Sequence, residues 1–277
     1  MNQAELGSLI KTDVRRALDE DLGSGDVTAA LLPSDSVATA RVITREDAVL
    51  CGCAWFDAVF HDLDPTLSID WHSRDGDAIH AGQELCHLHG RSRALLSGER
   101  CALNFLQTLS GTATLTWRYV NAIAGTGAQI LDTRKTIPGL RTAQKFAVRC
   151  GGGRNHRMGL FDAILIKENH IAAAGSIALA VSTARRLSPD LSVEVEVENI
   201  DGLEQALAAG ADRILLDNFE LDRLRNAVGI TAGRIRLEAS GGITLDNIHA
   251  VALTGVDFIS VGALTKDVRA IDLSLRI

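Results

Sequence analysis

The chain has 277 residues, 46% of them hydrophobic, and a formal net charge of -7. That is enough apolar material for a sizeable core and one or two domains, while the acidic balance argues against a nucleic-acid partner, which needs a basic face. No apolar run reaches membrane-span length, the first thirty residues hold no apolar leader core, and the five cysteines show no CxxC spacing. The expectation is a reduced, cytoplasmic protein with neither membrane nor nucleic acid among its partners.

Helical periodicity over residues 8–22 places Leu9, Val14, Leu18 and Leu22 on one side. The segments Val37–Arg45, Ala48–Cys53, Leu67–His72 and Glu84–Leu88 read as strands, divided by a helix near Trp55–Leu63 and by turns such as Asp75-Gly76-Asp77. The stretch DGDAIHAGQEL reads as a structural hairpin; no lysine stands at its tip to serve as a swinging arm. A long helical pattern follows from Ser92 to about Ala124, with an interruption expected at Ser110-Gly111. These elements make an α+β N-terminal region.

Beyond Gly127 the texture becomes an alternation of strand and helix. Strands are predicted at Gln129–Thr133, near Arg154–Arg157, and at Ala163–Lys167, Val193–Glu198, Arg213–Asp217, Ile235–Ser240 and Asp257–Val261. Helical patterns fill most gaps, at Ile177–Leu187, Gly202–Ala209, Leu221–Val228 and Leu245–Leu253. Repeated strand–helix units imply a parallel sheet. About seven strands predict an incomplete α/β barrel, one short of the usual eight, with an open doubly wound sheet as the alternative. No GxGxxG follows a strand, which disfavours that alternative.

Residues 131–170 concentrate the chemistry: eight of these forty residues are Arg or Lys, in an otherwise acidic chain. A cation at the end of a buried strand is costly to desolvate unless an anion meets it. The predicted strands end in Asp132-Thr133-Arg134-Lys135, Lys167-Glu168-Asn169-His170, Asp217-Asn218, Ser240-Gly241-Gly242 and Gly262, and C-terminal strand ends form the active face of such barrels. Arg134, Lys135, His156, Arg157 and Lys167 offer forked and point-charge donors suited to carboxylates. In VEVEVEN, alternation sends Glu194, Glu196 and Glu198 to one face, the lumen if the valines pack outward, or solvent if the strand is an edge. Glu196 and Asp217 supply hard oxygens suited to Mg²⁺ beside a diphosphate. Ser240-Gly241-Gly242 and Gly262-Ala263 present unhindered amides suited to a phosphate, a pattern tight turns also use. The remaining histidines, His87 and His89 included, read as structural, with His170 shaping the site beside Lys167. Trp55, Trp71 and Trp117 read as core or interface anchors.

With these residues in view, the chain resembles the quinolinate phosphoribosyltransferases. The likeness runs through EDLGSGDVTA, GERCALNFLQTLSG, LDTRKTIPGLR, GGGRNHRMGLFDAILIKENH, EVEVEN, ILLDNF, EASGGI and ISVGALT, essentially the whole chain. It implies an N-terminal α/β sandwich domain (1–112, with the tail 267–277 packing back on it) and a catalytic α/β barrel (113–266). It implies a homodimer, or a higher oligomer built from it, in which Arg100 reaches the partner's active site. The resemblance assigns Thr133, Arg134, Lys135, His156, Arg157 and Lys167 to substrate binding, and Glu196 and Asp217 to the ribose and Mg²⁺. Ser240–Gly242 and Gly262-Ala263-Leu264 are assigned to phosphate. Lys135, Lys167, Glu196 and Asp217 are the implied catalytic set. The implied reaction joins quinolinate to 5-phosphoribosyl 1-diphosphate, with loss of CO₂ and diphosphate and no organic cofactor. A related phosphoribosyltransferase with another acceptor, or a non-catalytic phosphate-binding barrel, are the alternatives.

Overall fold

The computed structural model describes residues 3–277. In chain order the elements are α1 (Gln3–Leu22), β1 (Val37–Thr44), β2 (Ala48–Val49), α2 (Cys53–Leu63), β3 (Ser68–Trp71), β4 (Ala78–Ile79), β5 (Glu84–Arg91) and α3 (Ser92–Ala122). Then come β6 (Gln129–Leu131), α4 (Arg141–Cys150), β7 (Ile164–Ile166), α5 (Glu168–Ala174), α6 (Ile177–Leu187), β8 (Val193–Val197) and α7 (Ile200–Ala208). The chain closes with β9 (Arg213–Asp217), α8 (Leu221–Thr231), β10 (Arg236–Ser240), α9 (Ile248–Ala252), β11 (Phe258–Ser260), α10 (Ala263–Lys266) and β12 (Leu273–Arg276). None of the described helices is long and apolar enough to cross a membrane. Contacts divide the chain into two units. The first holds the residues up to Trp117 together with Thr136–Gly152 and Asp267–Ile277; the second holds Arg118–Lys135 and Gly153–Lys266.

The first unit is built on a four-stranded antiparallel sheet ordered β12-β1-β5-β3. Along β1, Ala40, Val42 and Thr44 point inward and their neighbours outward, the period-2 pattern of a half-buried strand. The C-terminal β12 takes the edge beside β1, with Arg41 opposite Arg276 and Thr44 opposite Leu273. Trp55, Phe56 and Phe60 of α2 are fully buried against Val42, Leu85, Leu88, Leu95 and Leu103. On α1 the inward stripe is Ile10, Val14 and Leu18, with Leu22 packed against the core; of the predicted face only Leu9 is exposed. The predicted strand Ala48–Cys53 stops at Val49, since Gly52 turns at φ +111° and α2 begins at Cys53. DGDAIHAGQEL is not a hairpin: β4 pairs with β2, and the chain then crosses to β5 in the larger sheet.

The interruption expected at Ser110-Gly111 does not occur, and α3 runs unbroken through both residues. Their small size serves contact instead. Ser110 Oγ accepts the Cys51 N–H at 2.9 Å and donates to the Cys51 carbonyl at 3.1 Å. A Cβ on Gly111 would stand 2.1 Å from the Arg269 carbonyl oxygen.

The second unit carries six parallel strands ordered β6-β11-β10-β9-β8-β7. The strand predicted near Arg154–Arg157 shrinks to one parallel bridge, Arg154 beside Leu131, which adds a seventh position outside β6. From there to β8 is five strand steps, which in a flat sheet spans about 24 Å at a spacing of about 4.8 Å. Yet His156 Nε2 lies 3.0 Å from Glu194 Oε2 on β8. The sheet is therefore curled into a barrel. Among the described residues no backbone ladder joins the Arg154 segment to β7; there Arg157 Nη1 donates to the Ala163 carbonyl at 3.2 Å. The fold is an incomplete α/β barrel together with an N-terminal α+β unit, as the alternation of elements predicts. The helices α4, α5 and α10, and the strand β12, lay outside the sequence reading.

Candidate active site at the strand ends

Each barrel strand hands its last residues to the same rim, and short-range bonds fix them there. After β6, the fully buried Asp132 accepts the His156 N–H at 2.9 Å on Oδ1 and the Asn155 amide at 2.6 Å on Oδ2. It thereby ties the DTRK segment to the NHR segment. Thr133 Oγ1 accepts the Lys135 N–H at 3.0 Å. The Lys135 carbonyl accepts the Thr265 hydroxyl at 2.7 Å, and its side chain crosses Gly262, where a Cβ would stand 3.2 Å from Cδ. The Lys135 cation thus hangs over the loop after β11.

Arg134 and Arg157 are both half-buried. Burial and then the nearby Arg134 charge lower the Arg157 pKa, against weaker support from Glu194, Asp162 and Glu196. An anion bound beside two neighbouring guanidinium groups relieves their mutual repulsion.

Lys167 directly follows β7, and its Nζ lies 2.5 Å from Glu196 Oε2 on the neighbouring strand. Its backbone N–H donates to His170 Nδ1 at 3.0 Å in the first turn of α5, so His170 shapes this corner as expected. The glutamate ladder divides. Glu194 is buried with His156, Glu196 meets Lys167, and Glu198 lies past the strand end and is exposed, not in the lumen.

Asp217 closes β9 in register with Ser240 on β10. Asn218 adopts φ +55°, unusual for a residue with a side chain; its amide donates to Asp217 Oδ2 at 2.8 Å and its N–H to the Ser240 carbonyl at 2.9 Å. Gly241 turns at φ +93°, and a Cβ there would stand 2.1 Å from Asn218 Oδ1, so glycine is required on both counts. Gly242 follows at φ +62°, its carbonyl accepting the Asn247 amide at 2.9 Å. Gly262 and Ala263 are half-buried ahead of α10, but the Leu264 side chain is fully buried, which leaves that residue only its backbone to offer a ligand.

Two further placements complete the site residues. Both His156 ring nitrogens face protein groups: Nε2 meets Glu194, and Nδ1 accepts the Arg157 N–H at 2.7 Å. Arg100 is exposed on α3 and belongs to the first unit. Among the anchors, Trp55 is fully buried, whereas Trp117 is 47% exposed. The sequence reading assigned no role to Asp132, Arg213, Asn218 or Glu238. Asp132 and Glu238 each stand inside a quoted motif, but their partners lie on strands far away in sequence.

A barrel whose rim gathers cations, carboxylates and glycine turns is built to bind small polyanions. Residues 26–110 match the N-terminal domain model, and residues 112–276 the C-terminal domain model, of quinolinate phosphoribosyl transferase. A probable nicotinate-nucleotide pyrophosphorylase [carboxylating] of Bacillus subtilis is 44% identical over 257 residues, covering 92% of this chain and 89% of that protein. The nicotinate-nucleotide pyrophosphorylase [carboxylating] of Mycobacterium leprae is 44% identical over 272 residues, 95% of each chain. The solved structure of the nicotinate-nucleotide pyrophosphorylase from Francisella tularensis superposes with a TM-score of 0.94 at 50% identity, covering 98% of this chain and 96% of that one. The chain belongs to the quinolinate phosphoribosyltransferase family.

Proposed function

We propose that this protein transfers the phosphoribosyl group of 5-phosphoribosyl 1-diphosphate to quinolinate with decarboxylation, giving nicotinate mononucleotide, diphosphate and CO₂ for NAD biosynthesis. The observation that carries the reading is that Asp132 ties the segment of Arg134 and Lys135 to that of His156 and Arg157, on a rim that also bears Lys167. Quinolinate brings two adjacent carboxylates, and forked guanidinium donors match them better than they match a single carboxylate.

In this reading Arg134 and Arg157 hold the carboxylates, with Lys135 and Lys167 adding point charge. The amides of Ser240–Gly242 and of Gly262-Ala263-Leu264 hold phosphate, and Thr133 lines the acceptor side. The ring nitrogen forms a bond to the anomeric carbon as the carbon–oxygen bond to diphosphate breaks. Glu196 and Asp217 orient the ribose hydroxyls and stabilise positive charge developing on the sugar ring. The alkylated ring then accepts the electron pair released when the bond to the adjacent carboxylate breaks, and that carbon takes up a proton. Holding both substrates in line contributes roughly 7–11 kcal/mol in favourable cases.

The carboxylates of Glu196 and Asp217, on adjacent strands, fit Mg²⁺ held partly through water, as a hard cation prefers. When bound, the metal supplies charge neutralisation for the leaving diphosphate. The catalytic domain is 113–266, with its segment Thr136–Gly152 packed into the first unit, and 1–112 with the tail 267–277 is the other. The working protein is a cytoplasmic homodimer in which Arg100 enters the partner's site. The test is release of CO₂ from carboxyl-labelled quinolinate, dependent on 5-phosphoribosyl 1-diphosphate, with nicotinate as the control acceptor. Equal or better use of nicotinate would identify the alternative acceptor class.

A further inference from the structure

Inside the barrel, below the rim, lies a polar cluster that the reaction outlined above does not use. Glu238 on β10 has no exposed surface, and the Glu194 side chain is 6% exposed. Arg213, at the start of β9, donates from Nη1 to Glu238 Oε2 at 3.1 Å, and its Nε lies 3.9 Å from Glu194 Oε1. His156 Nε2 stands 3.0 Å from Glu194 Oε2 and 3.6 Å from Glu238 Oε2. A buried acid without a partner is strongly destabilising, so a cluster like this persists only if its members complete one another.

The spacing of His156, Glu194 and Glu238, with ligand atoms within 4.8 Å of one another, also suits a metal ion. The Arg213 guanidinium already supplies a cation at the Glu238 carboxylate, so the acids serve an internal purpose. That purpose is visible at the other side of the imidazole. Nδ1 accepts the backbone N–H of Arg157 at 2.7 Å, which requires a lone pair on that nitrogen. The ring is therefore the neutral tautomer with its proton on Nε2, the tautomer being inferred from its partners. Burial opposes the charged imidazole, but the Glu194 hydrogen bond and the charges of Glu238 and Glu194 outweigh it and raise the pKa; the Arg157 N–H on Nδ1 acts against that charge and keeps the lone pair there. His156 is thus a strut that braces the Arg157 backbone.

We infer that Glu238, with Glu194 and Arg213, is a positioning residue: bonded to Arg213 and 3.6 Å from the imidazole, it backs the Glu194 contact that holds His156, which in turn fixes the backbone of Arg157 and so the aim of its guanidinium at the acceptor carboxylates. This rests on the proposed reaction for its kinetic consequence, but not for its geometry. The chain of contacts runs from β9 and β10 through His156 to the rim, and only the acceptor side of the site depends on it. Loss of Glu238 should therefore weaken quinolinate and leave the ribosyl donor untouched.

The experiment compares Glu238→Gln and Glu238→Ala with wild type. Gln keeps an acceptor for Arg213 and should hold both KM values within about twofold of wild type, whereas Ala should raise the quinolinate KM at least about tenfold with the donor KM unchanged. A wild-type quinolinate KM in the Ala variant, or an equal rise for both substrates, overturns the inference. If the Ala variant does not fold, the decision falls to ¹⁵N-histidine spectra of the intact protein, with His156 assigned through His156→Asn. A neutral Nε2–H ring near neutral pH supports the strut; an imidazolium or an Nδ1–H ring overturns it. Those spectra do not depend on turnover, so a wild-type protein inactive on quinolinate would sink the proposed reaction alone.

Discussion

Lys167 and Glu196 stand on adjacent barrel strands with their charged groups 2.5 Å apart, at the point where the lumen opens. The Lys167 side chain is 41% exposed and that of Glu196 14%, so solvent screens the pair and its contribution to stability is about 0–1 kcal/mol. In the proposed reaction its value lies in catalysis. Lys167→Ala is expected to fold with a melting temperature close to wild type and to lose roughly 10²-fold or more in kcat/KM for quinolinate, the scale for removing one positioned electrostatic group. Lys135→Ala should behave alike. Steady-state kinetics beside thermal melts check this, and near-wild-type kinetics in both variants would remove the two lysines from the site.

Arg100 offers a test of assembly. In a two-fold symmetric dimer with shared sites, an Arg100→Ala chain and a Lys167→Ala chain complement each other. Mixed after reversible dissociation, the two inactive preparations should recover about a quarter of wild-type activity, since half the dimers are hybrids with one intact site each. No recovery, with hybrids shown to form by native mass spectrometry, would restrict each site to a single chain.

Metal dependence follows from the carboxylate pair Glu196 and Asp217. Chelation by EDTA should abolish transfer, Mg²⁺ should restore it, and the melting temperature should barely move, because neither acid is buried in the core. Full activity in EDTA would refute the metal's role.

Close packing makes a separate prediction in the first unit. Gly111→Ala drives a methyl group into the Arg269 carbonyl, 2.1 Å from its ideal position, and backbone cannot swing aside as a side chain can. The expected cost is roughly 1–3 kcal/mol, read from urea unfolding, with the helix content of α3 retained.

The same Glu238 that steadies His156 gives the fold a pH signature. Burial, and then the charge of Glu194, push its carboxyl from the ordinary 4.5 up to about 7. A carboxyl raised in the folded state favours folding at pH below its unfolded value, and that contribution is lost as the pH climbs through the folded value. Between about pH 4.5 and about 7, wild type should therefore lose stability relative to Glu238→Gln. Parallel urea midpoints for the two proteins across that range would contradict the assignment.

Much of this was legible in residue order. β9 and α6 coincide with their predicted bounds, because RILLD and the amphipathic Ile177–Leu187 run are long, regular signals. The rim cations were legible for a related reason: charge directly after an apolar strand has few structural explanations. Errors arose where the decisive contact was remote. Nothing local tells that Ser110-Gly111 sits against Cys51 and Arg269, so a pair that often ends helices was read as a break. Residue order predicts the wrong partner for β4, because pairing with Ala48–Val49 skips α2 and β3. The interior partners of His156 are invisible in residue order, because they arrive only when the sheet curls and brings β8 and β10 against the second strand position.

That curl leaves one join where a guanidinium stands in for a ladder, Arg157 reaching the Ala163 carbonyl. The group that seals the cylinder is also one proposed to grip the acceptor, so occupancy and closure are thermodynamically linked: a ligand that favours the sealed arrangement is favoured by it in equal measure. An empty site would then mark the weakest line of the cylinder, and a filled one would stitch it shut.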